Sequence, residues 1–169
     1  AKLCVDINLN NKPWLGMVIN GKTFDGGKHT ISNLNMSQYL LNQQATIYTP
    51  EACIGLFAAV YGNAAIKDIT LDRVTIEPSA EKSPKWVGSL VGYSKGTGTT
   101  YTNCIAKNVK ILTEGTNSFR VGGLIGYIEK NKGTSDATAT LTGCKVETAN
   151  IAASFSYGGL VGSLYDSVT

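Results

Sequence analysis

The chain repeats itself. A short segment rich in glycine and aliphatic residues occurs four times: Ile54-Gly55-Leu56-Phe57-Ala58, Val87-Gly88-Ser89-Leu90-Val91-Gly92-Tyr93, Val121-Gly122-Gly123-Leu124-Ile125-Gly126-Tyr127 and Tyr157-Gly158-Gly159-Leu160-Val161-Gly162-Ser163. Its leucines stand at positions 56, 90, 124 and 160, so the steps are 34, 34 and 36 residues. A period of this size points to an array of like units. Each unit is too small to bury its own apolar face and must cover its neighbour's.

A second pattern alternates with the first. Ile31-Ser32-Asn33-Leu34-Asn35-Met36 matches Ile66-Lys67-Asp68-Ile69-Thr70-Leu71 at an offset of 35. Another 35 carries Ile69 onto Cys104, Val74 onto Val109 and Ile76 onto Ile111, and a step of 40 then carries these onto Cys144, Ala149 and Ile151. Apolar residues fall in pairs two apart, such as Ile69 with Leu71 and Val74 with Ile76, which is strand periodicity. The interruption at Asp72-Arg73 predicts a bend. Asn33, Asp68, Asn103 and Gly143 precede the first strand of each copy. These residue types tolerate the left-handed backbone conformation, so the column reads as a recurrent corner.

Short strands, corners and this period predict an all-β chain, a parallel β-helix or solenoid. A helix-turn-helix repeat is excluded by the glycine pairs, Thr and Val in mid-unit, and a propeller blade is disfavoured by the lack of clear signals for four long strands per unit. Parallel crossovers favour the right-handed form. Each unit is expected to make two coils, one per pattern, about eight short coils in all, with one large coil per unit as the alternative. Two coils per unit would hold Cys104 and Cys144 about 10 Å apart, beyond the about 7 Å that a disulfide spans. They are therefore expected to be reduced, buried and inward, alongside Ile69.

Residues 1–169 read as a single β-helix domain, with 1–22 a less regular lead-in and 23–169 the repeats. A solenoid shields its last coil with a cap, and six residues follow Ser163. The chain is thus expected to be part of a longer surface protein with further domains, or to pair its last edge with a partner.

Composition agrees with this class. Thr, Asn and Ser together number 43 of 169 residues, with 19 glycines and only 16% charged residues. That is too little charge and too much Val, Ile and Leu for a disordered chain, and too much Gly, Thr and Asn for a helical bundle. The net charge of +3 comes from scattered lysines, unlike the basic stripe that nucleic acid requires. The longest apolar run, residues 54–61, is far short of a transmembrane span. Cys4, Cys53, Cys104 and Cys144 form no CxxC or Cys/His cluster, so no metal or cofactor is expected.

The Gly-Gly-Leu-Val-Gly type segments resemble the GLUG motif of bacterial surface β-helix proteins, common in gut Bacteroidetes. The stretch from Thr23 to Leu34 is similar to the opening coil of such proteins. The resemblance runs from about Thr23 to Ser163; its first copy departs from it, with Ala58 where later copies have glycine. It implies a right-handed parallel β-helix, export to the cell surface or beyond, and an adhesin or scaffold role. It supplies no catalytic residues.

No reactive constellation is legible. His29, the one histidine, lies in the Asp25-Gly26-Gly27-Lys28 turn and reads as a corner residue. The glycine segments lack both the GxGxxG order and a following Lys-Ser/Thr. Asp68, Asp72 and Arg73 read as a surface ion-pair group. Trp14, Trp86, Tyr93, Tyr101 and Tyr127 are the candidate ligand-binding aromatics, able to form a face for sugar stacking. The expected function is a non-catalytic adhesin or binding scaffold at the bacterial surface, meeting a host or microbial glycan or protein. The alternative is a carbohydrate-binding or carbohydrate-active domain on the same scaffold.

Overall fold

A computed structural model describes residues 1–37, 52–78, 84–113, 120–129 and 139–165. Among them are fifteen strands and no helix: β1 (Ile7–Asn8), β2 (Met17–Asn20), β3 (Thr23–Asn35), β4 (Cys53–Ile54), β5 (Phe57–Tyr61), β6 (Ala65–Ile76), β7 (Trp86–Gly88), β8 (Val91–Lys95), β9 (Thr99–Thr113), β10 (Arg120–Gly122), β11 (Ile125–Glu129), β12 (Ala139–Thr142), β13 (Lys145–Ala153), β14 (Ser156–Gly158) and β15 (Val161–Tyr165). They form three parallel sheets. One runs β1-β3-β6-β9 and ends on β12 and β13; the second runs β4-β7-β10-β14; the third runs β2-β5-β8-β11-β15. The chain visits the sheets in turn, which makes a β-solenoid of about three turns.

The number of coils per repeat corrects the sequence reading. Val87 pairs with Val121, and Val121 with Tyr157. Val91 likewise pairs with Ile125, and Ile125 with Val161. Equivalent residues one repeat apart are therefore direct neighbours, so each repeat is one large coil with three sides. The expectation of eight coils fails, and with it the 10 Å separation of Cys104 and Cys144. The cause is that the glycine-rich segment and the long strand each carry an apolar pattern of their own, so two parts of one coil read as two coils; residues with positive φ also bend the strands of 12 and 15 residues.

These bends account for the core. In β6, Ile66, Ile69, Leu71, Val74 and Ile76 point inward and are buried. The steps of three, from 66 to 69 and from 71 to 74, contain Asp68 and Arg73, whose φ values are +52° and +55°. Each left-handed residue turns the strand and returns the next apolar side chain to the inside. Asn103 and Asn108 do the same in β9, with φ of +51° each, and Gly143 (+64°) and Thr148 (+56°) do so in the last coil. The predicted corner at Asp68, Asn103 and Gly143 is thus present.

Its first member is corrected. Ser32 pairs with Asp72 and Leu34 with Val74, so Asn33 (φ +55°) stacks with Arg73. Lys28 (φ +64°) occupies the place before His29 that Asp68 occupies before Ile69. The two bends of every coil lie five residues apart, so sliding the sequence by five sets one bend on the other and still matches apolar residues. The predicted offsets of 35 from β6 to β9 and 40 from β9 to β13 agree with the register.

Leu56, Leu90 and Leu124 stack at the centre, each fully buried, with Leu160 packed on the same cluster. Between the second and third sheets the turn is so tight that a Cβ on Gly126 would lie 2.6 Å from both the Gly92 carbonyl oxygen and the Val87 nitrogen. Ala58 replaces glycine in the first copy, and Gly16 meets it: a Cβ there would fall 2.7 Å from the Ala58 Cβ. The lead-in contributes β1 and β2, which continue the first and third sheets.

Candidate functional site

The outer face of the long first sheet carries polar side chains in register. Asn103 donates from Nδ2 to Asp68 Oδ1 (3.0 Å), Asn108 to Asp72 Oδ1 (2.8 Å) and Asn33 to Asn8 Oδ1 (2.8 Å). Arg73 donates from Nε to Asn33 Oδ1 (2.8 Å) and pairs with Asp72 (2.7 Å). Ion pairs join successive coils: Asp25 with Lys67 (3.2 Å), Lys107 with Glu147 (3.3 Å), and Glu77 with Lys110. Exposed pairs of this kind contribute about 0.2–1 kcal/mol each. Their consequence here is order, because these pairs tie the side chains of neighbouring coils to one another.

At the first bend this face folds into an open groove of about 450 Å³ lined by Lys28, Asp68, Thr70, Asn103, Ile105, Gly143 and Lys145. The lining comes from four successive coils, about 4.8 Å apart. The groove offers a lysine at either end, a carboxylate and an amide between them, and an aliphatic floor at Ile105. Asp68, Asn103 and Gly143 were legible as a corner column. Lys28 was missed because the five-residue slip put Asn33 in its place.

His29 is half-buried, and its Nδ1 lies 3.1 Å from Asp6 Oδ1. Its carboxylate partner is Asp6 of the lead-in, not Asp25 of its own turn. Asp6 also accepts from the Thr30 amide (2.9 Å). That bond, followed by the one to His29, holds the Asp6 carboxyl below its ordinary value of 3.8. Asp25 is held below it too, first by the Gly27 amide, which donates at 2.8 Å.

Three of the five candidate aromatics come together. The Trp86 ring stacks on Tyr93 (centroids 4.7 Å apart) and on Tyr127 (5.4 Å), and Tyr61 meets Tyr93 edge-on. Val87 points into the core, so Trp86 beside it stands on the outer face and joins a second apolar cluster with Cys53, Ala58 and Ala59. Trp86 is 6% and Tyr93 2% exposed; Tyr127 is half-buried. Tyr93 donates its hydroxyl to Glu129 (2.7 Å), which also receives Lys95 (2.8 Å). Burial, and then this carboxylate, push the Tyr93 phenol well above its usual range. Tyr101 lies in the core between its register partners Ile66 and Leu141 and donates to Ser94 (2.7 Å). Trp14 is half-buried and donates from Nε1 to the Leu56 carbonyl (3.2 Å).

Among the described residues, no group of three or more His, Cys, Asp or Glu side chains is placed to hold a metal ion. No helix among them is long and apolar enough to cross a membrane. Fold and surface together define a parallel β-solenoid with a laddered polar outer face. No protein-family model, no curated protein and no solved structure matches the chain.

Proposed function

We propose that the chain is a non-catalytic binding scaffold, an adhesin-type module displayed at a bacterial surface, and that the bend groove is where its ligand sits. The groove carries this reading: it gathers polar side chains from four successive coils into a single track. The use of the acids supports it further. Asp25, Asp72, Glu129 and Glu147 each hold a lysine or arginine, and Asp68 accepts from Asn103. Most glycoside hydrolases pair two carboxyl groups across a common space, one of them kept protonated. The carboxylates of Asp25, Asp68, Asp72, Glu129 and Glu147 are instead engaged with neighbouring side chains. The resemblance of the glycine-rich segments to GLUG motifs supports display outside the cell. Regularly spaced groups of this kind suit an extended surface glycan or peptide, held by Lys28 and Lys145 at its ends.

Glycan and peptide arrays probed with the purified protein test the proposal. Retention of a ligand that is recovered chemically intact, and its loss in the Lys28→Glu/Lys145→Glu variant, is the expected result. Recovery of a shortened or unsaturated oligosaccharide would replace the scaffold with an enzyme. Binding unaffected by the double charge reversal would move the site away from the groove.

A further inference from the structure

With one coil per repeat, Cys104 and Cys144 come to lie one above the other. Thr102 pairs with Thr142 and Ile105 with Lys145, which brackets the two cysteines in register. Strand spacing then sets their Cα atoms about 4.8 Å apart, inside the about 4.4–6.8 Å range of disulfides. Their side chains also share a direction. Each follows a residue with positive φ, Asn103 (+51°) or Gly143 (+64°). Each thiol reaches a carbonyl one coil back: Cys104 Sγ lies 3.4 Å from the Ile66 oxygen, and Cys144 Sγ 3.3 Å from the Tyr101 oxygen. Ile66 and Tyr101 are themselves register partners.

The two thiols differ in access. Cys104 is buried, whereas Cys144 is half-buried. Cys144 also lines an open groove of about 410 Å³ with Lys145, Val146, Glu147, Ala149, Gly159 and Leu160 on the last coil. Both thiols are free in this structure, as is exposed Cys4 in the lead-in, near the first edge of the same sheet.

We propose that Cys104 and Cys144 are a thiol–disulfide site: a small disulfide reacts at Cys144, and Cys104 then closes a bond that staples the last coil to the one before it. The Cys144 thiolate attacks one sulfur of a disulfide such as oxidised glutathione. The glutathione S–S bond breaks, one glutathione leaves as thiolate and takes up a proton, and a mixed disulfide remains on Cys144. The Cys104 thiol attacks Cys144 Sγ, the bond from Cys144 to glutathione breaks, and the second glutathione leaves as thiolate and takes up the proton that Cys104 gives up. Two cysteine thiols have lost two electrons, and one glutathione disulfide has become two thiols. The order of steps agrees with the protonation of the pair. Hydrogen bonding to Cys144 and burial raise the Cys104 thiol above its usual range, and the same bond lowers Cys144.

The experiment treats the purified full chain with oxidised glutathione, alkylates the remaining thiols and maps the peptides without reduction. One cross-link, Cys104 to Cys144, is expected, with Cys53 alkylated only on unfolding. The oxidised chain should melt about 5–10 °C higher, and dithiothreitol should reverse the gain. Cys104→Ser should leave Cys144 as a lasting glutathione adduct, and Cys144→Ser should leave Cys104 unmodified. Two free thiols in the oxidised wild-type chain, a cross-link to another cysteine, or an adduct on Cys104 in Cys144→Ser would overturn the proposal. The wild-type map decides even if a variant fails to fold.

Discussion

Residue by residue, the fold depends on a few backbone conformations that most side chains avoid. Every coil bends at two left-handed residues, and the chain fills those places unevenly. Asn33, Asp68, Asn103 and Asn108 suit them, since short polar side chains accept this conformation. Thr148 does not: it is exposed, β-branched, and held at φ +56°. The penalty for a non-glycine residue there is about 1–2 kcal/mol, and glycine's greater freedom in the unfolded chain offsets about 0.5–1 kcal/mol of any relief. Thr148→Gly should therefore stabilise the chain by about 0.5 kcal/mol, read as a higher denaturation midpoint; a lower midpoint would show that Thr148 makes a contact worth more than its strain. The same residue types made the corners legible in the sequence. They also misled the alignment at Asn33, because both bends of a coil use the same chemistry and only pairing across strands tells them apart. The aromatics were harder to place. Alternation puts Trp86 and Tyr101 equally well on a strand, but which face of that strand is covered is decided by the rest of the coil.

At the scale of elements, the period was legible while the path between repeats was not. A column such as Ile69, Cys104 and Cys144 says which residues stack, and it would read the same with one coil or two between them. The glycine-rich segment and the long bent strand looked like two coils because each has its own apolar pattern. They are different sides of one coil: the glycine-rich segment supplies the second and third sheets, where Gly126 and its equivalents let backbones approach closely, and the long strand supplies the first. The lead-in shows a further kind of attachment. Besides its short pairings with β3 and β5, it is pinned by Asp6, which accepts from the Thr30 amide, while Asp25 arranges the Gly26-Gly27 turn beside it. Both carboxyls sit below their ordinary value of 3.8. Groups with depressed folded values stabilise the fold above the unfolded value, and that contribution disappears as pH falls through the folded one. Asp6→Ala should thus lower the thermal midpoint at pH 7, and the gap from wild type should narrow as pH falls below 3.8 and the carboxyl takes up its proton. A gap that stays constant as the carboxyl is protonated would show that its charge is not what holds the lead-in.

On the scale of the molecule, coils are stabilised by the coils on either side, so the ends and the middle are unequal. Ile111 and Leu124 are fully buried, whereas their counterparts Ile151 and Leu160 in the last coil are half-buried. Phe155 and Tyr157 beside them are 51% and 62% exposed, and at the opposite end Val5, Leu15 and Val18 stand open. In a stacked array, stability is the sum of unit and neighbour terms, and terminal units open first. Removing a central leucine therefore loosens two interfaces, and removing a terminal one loosens one. Leu124→Ala should cost about 3 kcal/mol, and Leu160→Ala about 1 kcal/mol, since part of its side chain already meets water. Amide hydrogen exchange separates the two cases by location. Leu160→Ala should speed exchange in β14 and β15 and leave β6 and β7 protected, whereas Leu124→Ala should reach from β8 through β15. Equal losses, with exchange rising uniformly along the chain, would mean that the coils unfold as one block and that the ends are no weaker than the centre.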